Sequence, residues 1–447
     1  MAGRRQPTGG RRTRQVLARL RRYESRNILF IDPDGDWPIV WERAADCTVW
    51  DADGRSYLDL TAAFGVAAAG HANPRVVAAG QAQMARLLHA MGDVHPHPGK
   101  AELARRLSEL TFERWSGGAT HGKTILCNSG FEAVEAALKT AFLATGRHRV
   151  LAFEGAYHGL GYGALTTTHR PFFRSPFRRQ LREFARFVPF PLRPEEEAET
   201  RRRMDAEQAR APVGAVLVEP IQARGGIRVP PAGFLRELRQ WCDRHGALLV
   251  LDEIYTGFGR TGRWFACEHE EVTPDLICLG KALTGGFPMS ACVGRADLMD
   301  AAWPASEGEA LHTSTFLGHP VGCAMALAQT TELRRRRLVE RSARLGEALL
   351  AWLQEIPAPR GVRLDARGRG LMAGLELRDR QGRPATALAV RVVKRLLREG
   401  YVFLPEGDAA NVIAFTPPLT IPREALRRAV EALGRAIAAE AASETAA

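Results

Sequence analysis

The chain has 447 residues, 45% of them hydrophobic and 25% charged, enough for two or three domains around a large core. Its net charge is +12 and its pI about 9.8, yet no helix-turn-helix, RNA-binding or zinc-finger pattern accompanies the charge, so no nucleic-acid partner is expected. No apolar run approaches the roughly 18 residues of a membrane span, and the spacing of seven cysteines points to free thiols in the cytoplasm rather than disulfides or a metal site.

Residues 1–22, rich in Gly, Pro and Arg, read as a basic arm, disordered or loosely attached, and no apolar segment follows that would make them a secretory signal. "VWDADGRSYLDL" (49–60) reads as two short strands around a turn. "KTILCNSG" is a strand and turn, and "FEAVEAALKTAFLATG" a helix ended by Gly146. "HRVLAFEG", "VGAVLVEP", "GALLVLDE" and "PDLICLG" are further strands, with the helix "PAGFLRELRQWCDRHG" between two of them. Continuous apolar strands alternating with helices predict an α/β fold, its mainly parallel sheet covered on both faces. After about Val321 the pattern changes to a long helix, "GRGLMAGLELRD", a helix over 387–399, "VIAFTPPLTI" and a closing helix, which is a smaller α+β unit. The expected division is the arm (1–22), an N-terminal part of a small domain (23–65), a large domain (66–325) and a C-terminal small domain (326–447).

Ligands of open α/β sheets bind where the strands end. Here the strands end in Glu219, in Asp252 and Glu253, in Lys281, and in the "NSG" turn before a helix. Taken singly, each of these is an ordinary cap or salt-bridge partner. Lys281 stands out because, of 62 basic residues, the only lysines are Lys100, Lys123, Lys139, Lys281 and Lys394. A lysine amine can form a Schiff base with an aldehyde cofactor, pyridoxal phosphate. Arginine cannot, because its guanidinium stays protonated. The cofactor ring works as an electron sink while a buried carboxylate keeps its nitrogen protonated, and Asp252 is the candidate. Its phosphate needs the amides of a helix start, which "NSGFEAVEAA" offers at Ser129–Gly130. Its ring needs a flat partner, and Tyr157 in "GAYHG" follows a strand end.

"NSGFEAVEAALKTA", "GAYHG", "VEPIQ", "LDEIYTGFGRTG", "LICLGKALTGGFPMSA" and "HTSTFLGHPVGCA" resemble the successive signatures of class-III aminotransferases, fold-type-I pyridoxal-phosphate enzymes. The resemblance runs from about Val49 to Leu419. It implies a large pyridoxal-phosphate domain and a smaller α+β domain. It implies that Lys281 carries the cofactor and shuttles the proton, and that Asp252 pairs with the ring nitrogen. Ser129, Gly130 and the amide of Phe131 would hold the phosphate, Tyr157 would stack on the ring, and Glu219 would sit close behind it. Thr315 would reach the phosphate of a neighbouring subunit, which requires a homodimer with shared sites.

The chain also departs from the family pattern. Ornithine-type members carry a glutamate after "VEPIQ" that can pair with a substrate-gripping arginine near the C-terminus. Here those positions are Arg224 and Ala414. Arg224 is either a surface residue or a replacement grip for a substrate carboxylate, a lone cation whose anion the substrate supplies. Tyr255 stands where a glutamine often contacts the cofactor hydroxyl. Phe64 matches a position that often lines the substrate pocket, and reads equally as a core aromatic. The expected reaction is transamination between an amine or amino acid and a keto acid by a ping-pong route. Racemisation, epimerisation or amino migration on the same groups is the alternative, because the motifs do not say where the proton returns. A nucleotide-binding or basic scaffold on the same fold has no use for Lys281, and the chain has no GxGxxG turn after its first strand and no P-loop.

Overall fold

A computed structural model describes residues 9–32 and 37–445. The start of the basic arm (1–8) lies outside the described residues, but Arg11–Tyr23 form a helix where composition suggested a loose segment. A distant side chain supplies its cap. The Asp53 carboxylate accepts the amides of Arg12 (2.9 Å) and Thr13 (3.0 Å) and so satisfies two first-turn donors. Arg21 and Arg22 fall in the last turn, where the helix dipole favours cations.

Strands β1 (Trp41–Ala45), β2 (Thr48–Asp51) and β3 (Ser56–Asp59) form an antiparallel meander. Ala62, Ala63 and Phe64 then take left-handed conformations (φ 46°, 49° and 63°) and lead into Gly65. A Cβ on Gly65 would lie 2.8 Å from the ring of Tyr255, so only glycine lets this turn approach the site.

The central sheet contains β4 (Gly122–Cys127), β5 (Arg149–Phe153), β6 (Ala185–Val188), β7 (Val213–Val218), β8 (Leu248–Asp252), β9 (Leu276–Leu279) and β10 (Ser290–Arg295). Their spatial order is β4-β10-β9-β8-β7-β5-β6. Pairings from β9 through β6 are parallel, and β10 runs antiparallel to both its neighbours. Every residue of β7 and β9 is buried, which is why their sequences are unbroken apolar runs rather than alternating ones. The Gly130–Thr145 helix packs its alanines on one face of the sheet and ends at Gly146 in the left-handed conformation. Phe234–His245 covers the other face through Phe234, Leu238 and Trp241.

Helices Pro320–Arg335 and Leu338–Gln354 lead to β11 (Val362–Arg369) and β12 (Met372–Asp379), then to the Thr386–Arg398 helix. After it come β13 (Tyr401–Val402), β14 (Leu404–Glu406), β15 (Val412–Phe415) and a closing helix, Arg423–Thr445. The second sheet has the order β11-β12-β15-β14, while β13 pairs parallel with β3 and so joins the two ends of the chain in one sheet. One apolar cluster is continuous from Leu103 beside the central sheet to Phe403, Phe415 and Leu433.

Candidate active site

Because β9, β8 and β7 are neighbours, the residues at or just beyond their carboxyl ends stand on strands spaced about 4.8 Å apart. Those residues are Lys281, Asp252 and Glu219 at the carboxyl edge, where open α/β sheets bind ligands; Asp252 and Glu219 are buried and Lys281 is partly buried. Lys281 opens a short 3₁₀ turn, Lys281–Leu283, with φ at +27°, a strained value for a residue with a side chain, worth about 1–3 kcal/mol. Its Nζ lies 4.5 Å from the ring centroid of Tyr255. Burial lowers the Lys281 pKa, opposed by the nearby charges of Asp252 and Glu219.

Asp252 is held on both oxygens. Oδ1 accepts the Ile254 amide (3.1 Å), and Oδ2 lies 2.7 Å from Nδ1 of His158. A bond to a carboxylate requires Nδ1 to carry the proton. The His158 amide donates to Thr168 Oγ1 (2.9 Å), whose hydroxyl donates to the Gly159 carbonyl (2.9 Å). His158 is thus fixed from behind, and its Nε2 is buried without a partner. The residues alone had not singled out His158, although it sits in the quoted "GAYHG"; a buried imidazole one residue beyond a candidate ring-stacking tyrosine was the available signal. Glu253 points the opposite way, as strand alternation dictates. It accepts the Thr256 hydroxyl (2.5 Å) and the amides of Ala266 and Cys267 (both 2.8 Å), folding the "GFGRTG" loop back. Burial pushes its carboxyl up to about 7.

Glu219 accepts the Tyr157 amide on Oε1 (2.9 Å) and the Ala223 amide on Oε2 (3.2 Å). Burial pushes its carboxyl up. The Tyr157 ring meets Phe173 edge-on at 5.6 Å. Tyr255 reaches across to the hydroxyl of Thr416 (3.2 Å) just beyond β15. Ser129 is the cap residue of the Gly130–Thr145 helix, but its Oγ is buried and unpartnered. Ile254 lies against both Gly130 and Gly280, so the helix start and Lys281 flank one side chain. Gly159 (φ +115°) lets the His158 loop close on this helix: a Cβ there would lie 2.4 Å from the Cβ of Phe131.

Two residues singled out in the sequence lie in exposed positions. Phe64 is 49% exposed, so it is not a core aromatic, and it lines an apolar cavity of about 290 Å³ with Trp37, Ile39 and Trp41. Thr315 is exposed, on a segment tied to the start of the helix by Asn128 Nδ2 donating to Ser314 Oγ (3.1 Å).

Arg224 differs from expectation. It is not a lone cation: its Nε lies 3.6 Å from Oε2 of Glu406, and its guanidinium stands 5.7 Å from the Tyr157 ring. Glu406 escaped notice because it is eight positions before Ala414 in sequence, and the hairpin of β14 with β15, pairing Glu406 with Val412, brings it across from Arg224. Ala414 itself lies in a small apolar cluster with Ile221, Ala223, Ile227 and Met372.

A doubly covered, mainly parallel sheet with a partly buried lysine beside a buried carboxylate at its carboxyl edge is the arrangement of a cofactor-dependent α/β enzyme. The model of the aminotransferase class-III family matches residues 31–437, and the chain belongs to that family. It is therefore an aminotransferase, and its cofactor is pyridoxal 5'-phosphate. The 5-aminovalerate aminotransferase DavT of Pseudomonas aeruginosa is 38% identical over 417 residues, covering 92% of this chain and 94% of that one. Acetylornithine aminotransferase of Methanopyrus kandleri is 38% identical, covering 90% of this chain and 95% of that one. An amine transaminase from an uncultivated Pseudomonas species, solved in its PLP-bound form, superposes with a TM-score of 0.85 at 30% identity, covering 93% of this chain and 98% of that one. Among the described residues no helix is long and apolar enough to cross a membrane.

Proposed function

We propose that the protein moves an amino group from an amine or amino-acid donor to a keto acid in two alternating half-reactions, with Lys281 as the covalent anchor and proton carrier. The observation that carries this reading is the row of Lys281, Asp252 and Glu219 on three adjacent buried strand ends. The groups present fit the cofactor. The orphaned Ser129 Oγ and the amides of Gly130 and Phe131 at the start of a 16-residue helix suit a phosphate. The Asp252 carboxylate suits a protonated ring nitrogen, and Tyr157 offers a ring face.

When bound, the cofactor supplies an aldehyde carbon that takes up the amino group and a ring that accepts electrons. The chain does the rest. Lys281 Nζ, its pKa lowered by burial, would serve as a base that takes the proton from the donor carbon bearing the amine and holds it for return. Asp252 keeps the ring nitrogen protonated, and His158 keeps the Asp252 carboxylate in one orientation. Glu219 fixes Tyr157 by its backbone amide. Arg224 receives the carboxylate of the keto acid in a bidentate pair. Thr315, exposed on a single chain, meets the phosphate site of a second copy in a homodimer. Seven free, buried cysteines support a cytoplasmic enzyme.

Borohydride reduction of the holoenzyme followed by peptide mapping tests the anchor. The cofactor should be trapped on Lys281, and Lys281→Ala should lose both the adduct and turnover. An adduct on Lys100, Lys123, Lys139 or Lys394 removes the assignment.

A further inference from the structure

We propose that Glu406 recognises a second, distal ammonium on the amino donor, so that the Arg224–Glu406 pair opens toward a cation in one half-reaction and toward a carboxylate in the other. The proposal rests on the transamination reading above and goes on to name the donor class.

Glu406 ends β14, with its backbone paired to Val412. The turn behind it is fixed from two sides. The Gly407 amide donates to the Arg224 carbonyl (3.2 Å), while Arg170 donates to the Gly407 carbonyl (3.4 Å) and lies 2.7 Å from Asp408 Oδ1. The Glu406 side chain is only 4% exposed, yet among the described residues no group donates a hydrogen bond to its carboxylate. Its cationic neighbour, Arg224 Nε at 3.6 Å, is beyond hydrogen-bond reach and is itself buried without a hydrogen-bond partner. Of the other two cations whose charges act on Glu406, Arg170 is engaged by Asp408 and Lys281 is the proposed cofactor anchor.

A buried carboxylate and a one-third exposed guanidinium that face each other without a hydrogen bond are incompletely satisfied, and a ligand can complete either one. Both lie close enough for their charges to act on Lys281. A ping-pong site must hold donor and acceptor in turn at one place. An acceptor carboxylate draws Arg224 away from Glu406. A donor with an ammonium at its far end draws Glu406 away from Arg224. The donor class is therefore a diamine or a basic amino acid, whose second amine stays protonated while the first reacts.

The holoenzyme is mixed with 1,4-diaminobutane and, separately, with butylamine, without acceptor, and conversion of the cofactor to its amine form is followed by absorbance. The wild-type rate constant for the diamine should exceed that for butylamine by about tenfold or more, and Glu406→Gln should lower that ratio roughly ten- to a hundredfold. Glu406→Asp, which keeps the charge, should retain part of the preference. A wild-type ratio near one overturns the proposal without any variant having to fold. A ratio unchanged in Glu406→Gln also overturns it. If neither amine converts the cofactor, the diamine proposal falls while the transamination reading, which also admits amino-acid donors, stands or falls on the Lys281 adduct; if butylamine converts it and the diamine is not preferred, only the Glu406 subsite falls.

Discussion

Replacing His158 tests whether the carboxylate behind the cofactor ring must be held as well as present. The bond from His158 Nδ1 to Asp252 Oδ2 is 2.7 Å, and both side chains are buried. A hydrogen bond to a charged group contributes about 1.5–3 kcal/mol. If all of that is felt only as charge moves into the ring, the corresponding loss is roughly ten- to a hundredfold in rate. His158→Leu removes the donor, while His158→Asn keeps an N–H near the Nδ1 position. Stopped-flow conversion of the holoenzyme by a saturating amino donor should slow by about that factor in the Leu variant and recover in large part in the Asn variant. Asp252→Asn should cost at least as much. In that variant the amide nitrogen can face the Nδ1–H of His158, and the imidazole can accept from it only by moving its proton to the buried, unpartnered Nε2. The two changes should therefore be non-additive, with His158→Leu costing little in the Asp252→Asn background. Wild-type rates in a cofactor-loaded Leu variant, or equal losses in Leu and Asn, would refute a positioning role and leave His158 a packing residue.

Arg224→Ala should lower the ratio of kcat/KM for a keto acid over an uncharged aldehyde by roughly one to three decades. It should also lower stability in urea melts, because Glu406 loses its cation. Arg224 is one-third exposed, so that loss should fall below the roughly 3–5 kcal/mol of a fully buried pair. An unchanged ratio places the carboxylate elsewhere. Glu253 gives a pH signature: its carboxyl is pushed from 4.5 to about 7 in the folded protein, which therefore holds its proton more tightly than the unfolded chain. Stability is then lost as pH rises from about 4.5 to about 7, on the order of 3 kcal/mol, relative to Glu253→Gln. A flat difference in urea stability across that window means that the Thr256, Ala266 and Cys267 donors keep Glu253 ionised throughout. Sedimentation of the cofactor-saturated enzyme should give a dimer; a fully active monomer removes the role given to Thr315.

The row of Lys281, Asp252 and Glu219 was legible from sequence because it depends on local facts: apolar strands buried on both faces, each ended by a polar residue. Parallel pairing of β7, β8 and β9 makes those ends neighbours. The helix-start turn at Ser129–Gly130 was legible for the same reason. The N-terminal helix was not, because its cap comes from Asp53, some forty positions on, and composition registers only the Gly and Arg content. Glu406 was illegible for a further reason. Arg224 could be singled out as a departure from a family pattern, but its partner stands on another strand, and "LPEGD" reads as an ordinary strand end and turn.

That asymmetry bears on how the site chooses substrates. Family members with a glutamate after "VEPIQ" and an arginine near the C-terminus have an anion and a cation facing each other. Here the first position is Arg224, the second is Ala414, and the anion returns on Glu406. Opposite charges are present with their walls exchanged. Because Ala414 is small and apolar, it cannot pair with a carboxylate, and the proposed grip for an anionic end is Arg224, which stands 5.7 Å from the Tyr157 ring. A cationic end would be drawn the other way, toward Glu406 and the β14 turn. On the proposed reading, donor and acceptor would enter one site with their far ends on opposite walls, and the loosely paired Arg224 and Glu406 would be the groups that tell them apart.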